Sequence, residues 1–364
     1  MIDLVPLIDT VGENGAALAG GVALGLVFGI AARRSAFCTR SAVIGLFGKD
    51  RRASAVWLAG FATALLAVQL LIWRGTVDVA ETRFFSTAQS LSGALIGGGL
   101  FGLGMVLARG CVSRHLVLAA GGNLRALVTT LVIAAAGLAT YSGLLVPARD
   151  AIGGLWNTAA IGGNDLLAHA GLAQGAGPAI GAVLVLSAAG LAIAARASVW
   201  RVLGGVAVGL AVAGGWYFTY VLSLQVFEPI QAESLSFIRP LATTGELASG
   251  ASEGYGLDQG VLIGTLAGAF LAALLFGEFR LSGFRDPGAA AAWRYPAGGA
   301  LMGFGGILAV GCTVGAGFTG GAVLAVSALA GLGAMAGSAA LAHRFIDATA
   351  QTGQLARTAV QPAE

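Results

Sequence analysis

Lysine occurs once in this chain, at Lys49, and histidine and cysteine three times each. A single lysine and a formal net charge of +3 exclude a lysine-rich surface for nucleic acid. Three cysteines, none spaced as CxxC, do not make a disulfide framework and read as thiols. Charge itself is scarce: Asp, Glu, Lys and Arg make up 10% of the residues, against about 25% in soluble domains. Period-2 alternation is missing as well, which excludes a membrane β-barrel. The opening "MIDLVPLIDTVGENG" has no basic n-region of the kind a signal peptide needs, so the first apolar segment is expected to be kept.

Apolar residues make up 57% of the chain, and the mean hydropathy is +0.86. They fall into runs long enough to cross about 30 Å of hydrocarbon as helix. The runs lie at 16 to 32, 55 to 73, 91 to 108, 124 to 146, 178 to 195, 202 to 218, 260 to 277, 297 to 311 and 319 to 342. The expected fold is an all-α integral membrane protein of about nine spans, residues 1 to 364 forming a single membrane domain.

The segments repeat. "GGVALGLVFG" (20 to 29) matches "GGVAVGLAVA" (204 to 213) at six of ten positions, an offset of 184. "GLGMVLARGC" (102 to 111) matches "GFGGILAVGC" (303 to 312), also at six of ten, an offset of 201. The order is kept, and the polar connection at 223 to 259 absorbs the difference in offset. The chain thus divides into a first repeat at 16 to 146, a linking helix at 178 to 195 and a second repeat at 202 to 342. Four segments plus one is an odd number, so the second repeat enters the membrane from the opposite side. That is the inverted-repeat plan of many transporters, with a substrate site near the midplane.

Arg and Lys set the orientation. Joints carrying Arg33, Arg34, Arg40, Lys49, Arg51 and Arg52, then Arg109, Arg114 and Arg125, then Arg196 and Arg201, alternate with joints that lean acidic, among them 147 to 177 and 223 to 259 with Glu228, Glu233, Glu246, Glu253 and Asp258. The N-terminus is expected outside and the C-terminus in the cytoplasm. Trp57 and Trp73, with Trp200 and Trp216, are expected at the membrane interfaces. The tail from 347 to 364 is polar and expected to fray.

All three cysteines sit where an apolar run is broken: "RRSAFCTR" (Cys38), "ARGCVSRH" (Cys111) and "AVGCTVGAG" (Cys312). A lone cysteine is ordinarily a small buried hydrophobe, but Cys111 and Cys312 are repeat mates. Gly110 and Gly311 precede them, so the backbone can turn and approach a ligand. Free N–H groups of broken helices favour an anion, and irregular backbone at this depth is tolerated where it is buried or lines a cavity. Arg109 adds positive potential beside Cys111, or else snorkels to the interface. His115, four residues after Cys111, makes at most half a zinc site, so no metal is expected, and no cofactor.

These motifs resemble the YeeE/YedE family of bacterial inner-membrane proteins, whose characterised members take up thiosulfate. The resemblance runs from about 16 to 345. It implies two inverted halves with loops dipping inward, one cysteine of each motif along a central path (here Cys38, Cys111 and Cys312), and a small cytoplasmic TusA-like sulfur carrier as partner. Members linked to selenium and other sulfur species leave the substrate open within that class. Thiosulfate is a dianion whose burial without donors is costly. Neutral thiols, which apolar surroundings favour, are weak donors that can pass it along without trapping it. A soft contact with the terminal sulfur would tell thiosulfate from sulfate. The expectation is a transporter and not an enzyme; the alternative is a membrane sulfurtransferase that keeps the outer sulfur as a cysteine persulfide.

Overall fold

A computed structural model describes residues 3–227, 230–251, 254–286 and 289–347. Glu228, Glu253 and the tail from 348 onward lie outside the described residues. The described chain is helical and has no strands. Its helices are α1 (Val5–Ser35), α2 (Thr39–Phe47), α3 (Arg52–Trp73), α4 (Leu91–Leu107), α5 (Val112–Ala120), α6 (Leu124–Tyr141), α7 (Val146–Gly153), α8 (Leu166–His169), α9 (Ala176–Ala194), α10 (Val199–Ser223), α11 (Ile238–Ala248), α12 (Leu257–Leu275), α13 (Arg294–Leu308) and α14 (Val326–Ala342). A π-helical segment, Thr313–Gly320, lies between α13 and α14. Nine stretches among the described residues are long and apolar enough to cross a membrane, and the chain is a multi-pass membrane protein.

Lipid gives apolar helices no reason to prefer one another, so small residues that let backbones approach decide the packing. A methyl group at Gly25 would meet the Val261 carbonyl oxygen, and one at Gly97 the Gly305 carbonyl oxygen. The resulting contacts come in exchanged pairs: α1 packs on α12 as α10 packs on α3, and α4 packs on α14 as α13 packs on α6. Between the members of each set, α1 packs on α10 and α4 on α13. Gly20 lies against Phe218 while Gly204 lies against Ser35, so α1 and α10 run antiparallel. Gly93 lies against Leu308 and Gly104 against Gly298, so α4 and α13 do too. The helix α9 packs on α3 and leaves most of its apolar surface exposed.

Three details differ from the expected pattern. The last span begins at Val326, because the glycine-rich stretch before it is taken up in the π-helical segment. The connection at 223 to 259 is no plain polar loop. Residues 232–238 are buried, held by Ser234 Oγ donating to the Val212 carbonyl (2.6 Å) and Thr319 Oγ1 donating to the Leu235 carbonyl (2.6 Å). Trp73 and Trp200 are exposed at helix ends, but Trp57 is half-buried and Trp216 is fully buried. Their indole N–H groups find partners inside, at Thr39 Oγ1 (3.0 Å) and the Thr319 carbonyl (3.2 Å), which lets the rings leave the interface.

Candidate functional site

The same backbone device precedes each cysteine. Ala36, Arg109 and Val310 end α1, α4 and α13 in the left-handed conformation, with φ of 55°, 63° and 57°. The following N–H groups close the turn backward: Phe37 to the Ala32 carbonyl (3.1 Å), Gly110 to Met105 (3.0 Å) and Gly311 to Gly306 (2.9 Å). Such turns usually carry glycine at the left-handed position. A side chain there costs on the order of 1 kcal/mol, and here all three positions bear one. The chain then goes extended at Cys38, Cys111 and Cys312 and starts a new helix at once. Each cysteine carbonyl accepts the first helical bond, from Ala42 (3.0 Å), His115 (3.0 Å) and Ala316 (2.8 Å). Every thiol therefore stands at a helix start, where backbone donors lack intrahelical partners.

Before Cys111 and Cys312 the position after the left-handed residue is glycine, where space is short; before Cys38 it is Phe37. A methyl group at Gly311 would strike the Ala316 backbone nitrogen, and one at Gly110 would press on the His115 ring.

All three thiols are buried, at 5%, 0% and 0% exposure for Cys38, Cys111 and Cys312. Cys38 and Cys111 are near neighbours in one buried cluster, and Cys111 Sγ lies 3.4 Å from Ser113 Oγ. Beside Cys312, the buried Thr313 hydroxyl has no partner. Rings link the two segments: Phe37, next to Cys38, meets Phe318, on the segment that Cys312 opens, edge to face at 5.4 Å. Phe28 contacts both Phe37 (6.3 Å) and Phe237 (4.8 Å).

A cavity of about 140 Å³ reaches Gly311, next to Cys312, and is lined by Arg83, Tyr141, Arg149, Ser236 and Arg239. Carboxylates pair with its arginines and are not among these lining residues. Arg239 binds Asp258 at 2.9 Å and Glu233, Arg83 Nε lies 3.9 Å from Glu233, and Arg149 binds Asp150 at 2.8 Å. Burial lowers the Arg83 pKa from its usual value, with Glu233 acting the other way. Burial also opposes the charge on Arg239, but Glu233 and Asp258 outweigh it and hold its pKa well above the ordinary range.

A second cavity of about 180 Å³, lined by Arg109, His115, Asn123, Arg125 and Tyr295, lies at the other end of α6. Arg109 is exposed there, two residues from Cys111. Asn123 and Tyr141 bracket the 18 residues of α6, about 27 Å at 1.5 Å per residue.

Of the residues singled out by sequence, Cys38 and Cys111 are brought together, Gly110 and Gly311 shape their turns, and Arg109 lines a cavity. Arg83, Ser236, Arg239 and Thr313 were not anticipated. The arginines did leave a signal, being cations in joints that otherwise lean acidic. Among the described residues no three His, Cys, Asp or Glu side chains converge to hold a metal.

A comparison with curated proteins found no match. A family model described as sulphur transport matches residues 34–341, which include all three cysteines. On that match the chain belongs to the sulphur transport family, and its general role is the passage of sulfur anions across a membrane.

Proposed function

We propose that the chain brings thiosulfate, or a closely related small sulfur-containing anion, across the bacterial inner membrane into the cytoplasm without changing it chemically. The observation that carries this reading is the placement of three thiols at helix starts, with arginine-lined cavities reaching Gly311 on one side and Arg109 on the other. The ion is attracted at the Arg83 cavity, meets Cys312, then the Cys38–Cys111 pair, and leaves past Arg109. Weak donors in series suit conduction, because a single tight site would trap the ion.

Two inverted halves, 16 to 146 and 202 to 342, joined by the helix at 178 to 195, account for the antiparallel mates α1/α10 and α4/α13. The arginine-rich joints would face the cytoplasm, which puts the N-terminus outside and the C-terminus inside. A TusA-like carrier would dock on that side, where Lys49, Arg51, Arg52 and Arg196 surround a cavity of about 470 Å³. The buried thiols and the rings of Phe37 and Phe318 describe a closed path, so passage requires those rings to move.

The test is uptake of radiolabelled thiosulfate into proteoliposomes, with sulfate, sulfite and selenite as competitors. Cys38→Ala, Cys111→Ala and Cys312→Ala should each reduce uptake to the liposome background while the protein stays in the membrane. Undiminished uptake in all three would reject the cysteine path.

The Cys38–Cys111 pair favours one second reading. A thiolate attacks the outer sulfur of thiosulfate, the S–S bond breaks, sulfite leaves, and the cysteine keeps a persulfide. Mass spectrometry after thiosulfate exposure separates the two: an added sulfur supports transfer, and unmodified thiols support passage.

A further inference from the structure

His115 is a buried base that the thiol path does not use. It is 3% exposed, it lines the cavity at the Asn123 end of α6, and apart from a close approach to the Gly110 backbone neither ring nitrogen has a hydrogen-bond partner. Buried polar atoms are nearly always satisfied, and an unpartnered ring on a cavity wall points to something that fills the space. Its position is fixed by the cysteine turn. The His115 N–H binds the Cys111 carbonyl, and the ring lies against Gly110.

The surroundings favour an anion over water alone. Arg109 and Arg125 line the same cavity, and Arg114 and Arg40 act electrostatically on the ring. Two acids stand near this group: Asp347, which pairs with Arg40 at 2.7 Å and so takes up that charge, and Asp286, 3.9 Å from Arg125, an ion pair too long for a hydrogen bond. Asn123 and the phenol of Tyr295 complete a polar wall, and Tyr295 Oη accepts from the Ala290 N–H at 3.1 Å.

We propose that this cavity is an anion subsite that takes a small sulfur oxyanion as it leaves the Cys38–Cys111 thiols, with His115 donating from a ring N–H and Arg109 and Arg125 supplying charge. The proposal rests on the transport reading. It adds to that reading a stronger, cationic station beyond the weak thiol donors, which draws the ion forward and lets solvent take it up at the basic face.

The chain has three histidines, so ring signals can be resolved by nuclear magnetic resonance in the purified full chain with a histidine-free tag. With isotope-labelled histidine and the substitutions His169→Gln and His343→Gln, His115 is the sole reporter. Sodium thiosulfate should move its ring signals along a saturating curve, and sodium chloride at matched ionic strength should not. In proteoliposomes His115→Leu should lower thiosulfate uptake roughly tenfold, the weight of one hydrogen bond to a charged group, and His115→Gln should recover most of it.

Absence of a saturable shift in protein that still transports thiosulfate would overturn the subsite, and so would wild-type uptake by His115→Leu. Failure of His115→Gln to recover uptake would make the ring a structural support and overturn it as well. A saturable shift without transport would keep the subsite and sink the transport reading instead. If His115→Leu does not fold, the titration decides alone.

Discussion

Arg83 donates from Nη1 to the carbonyl oxygen of Val310 at 3.4 Å, across 227 positions of sequence. Val310 is the left-handed residue that turns the chain into Cys312, so a cation from the joint between α3 and α4 is tied to the turn that presents a thiol. One guanidinium thus supports the turn and lines the cavity beside it. Arg83→Gln keeps a donor but loses the charge. Hydrogen bonds to charged groups are worth about 1.5–3 kcal/mol, so KM for thiosulfate uptake should rise about tenfold or more, with a smaller change in maximal rate. Arg83→Lys should recover part of the loss. Uptake measured across a thiosulfate series checks this, and an unchanged KM in Arg83→Gln would remove Arg83 from ion capture.

Arg239 serves a different purpose, since its guanidinium is held by Glu233 and Asp258, whose side chains are 11% and 16% exposed. Removing it leaves two poorly solvated carboxylates without their main partner, a loss of about 3 kcal/mol or more. Arg239→Ala should lower the melting temperature of the detergent-solubilised protein, and Arg239→Ala with Glu233→Gln should recover part of the difference. Equal melting temperatures for wild type and Arg239→Ala would show that the cluster adds no stability.

The spans were legible because apolar run length is a direct constraint of bilayer thickness, and a run such as 55 to 73 can hardly be anything else. The thiols were legible through scarcity, since a chain with three cysteines places each at a broken run. The packing around the Cys312 segment was not. Leu235 and Phe237 sit in a connection whose composition is that of a polar loop, and only tertiary packing shows that 232–238 are buried. Trp57 and Trp73 read alike at the two ends of one run, yet Thr39 supplies a partner that draws the first inward. The left-handed turns at Arg109 and Val310 escaped notice for a related reason. Glycine is the usual mark of that conformation, and here it stands one residue later.

Sulfur, as distinct from hydrogen bonding, is tested by Cys→Ser at Cys111 and Cys312. A hydroxyl is a better donor than a thiol but harder and smaller, so it should hold sulfate about as well as thiosulfate. Cys111→Ser and Cys312→Ser should lower thiosulfate uptake and make sulfate a stronger competitor. Competition curves in proteoliposomes give the ratio, and an unaltered preference would mean that selectivity lies elsewhere than in the soft contact.

Adjacent positions in the Cys312 turn should respond in opposite directions. Val310 holds φ at 57° with a branched side chain, so Val310→Gly relieves backbone strain and should stabilise the protein by up to about 1 kcal/mol. Gly311 is not in the left-handed region but has no room, and a methyl group would meet the Ala316 backbone nitrogen, which no rotamer change can move. Gly311→Ala should therefore cost about 1–3 kcal/mol and displace the helix start that carries Cys312. Melting temperature and thiosulfate uptake are to be measured on both. If the turn presents the thiol, Gly311→Ala loses uptake even where the protein remains folded, and Val310→Gly keeps it. Equal uptake in the two variants would show that the placement of Cys312 tolerates a shifted backbone, and that the shape of this turn does not govern passage.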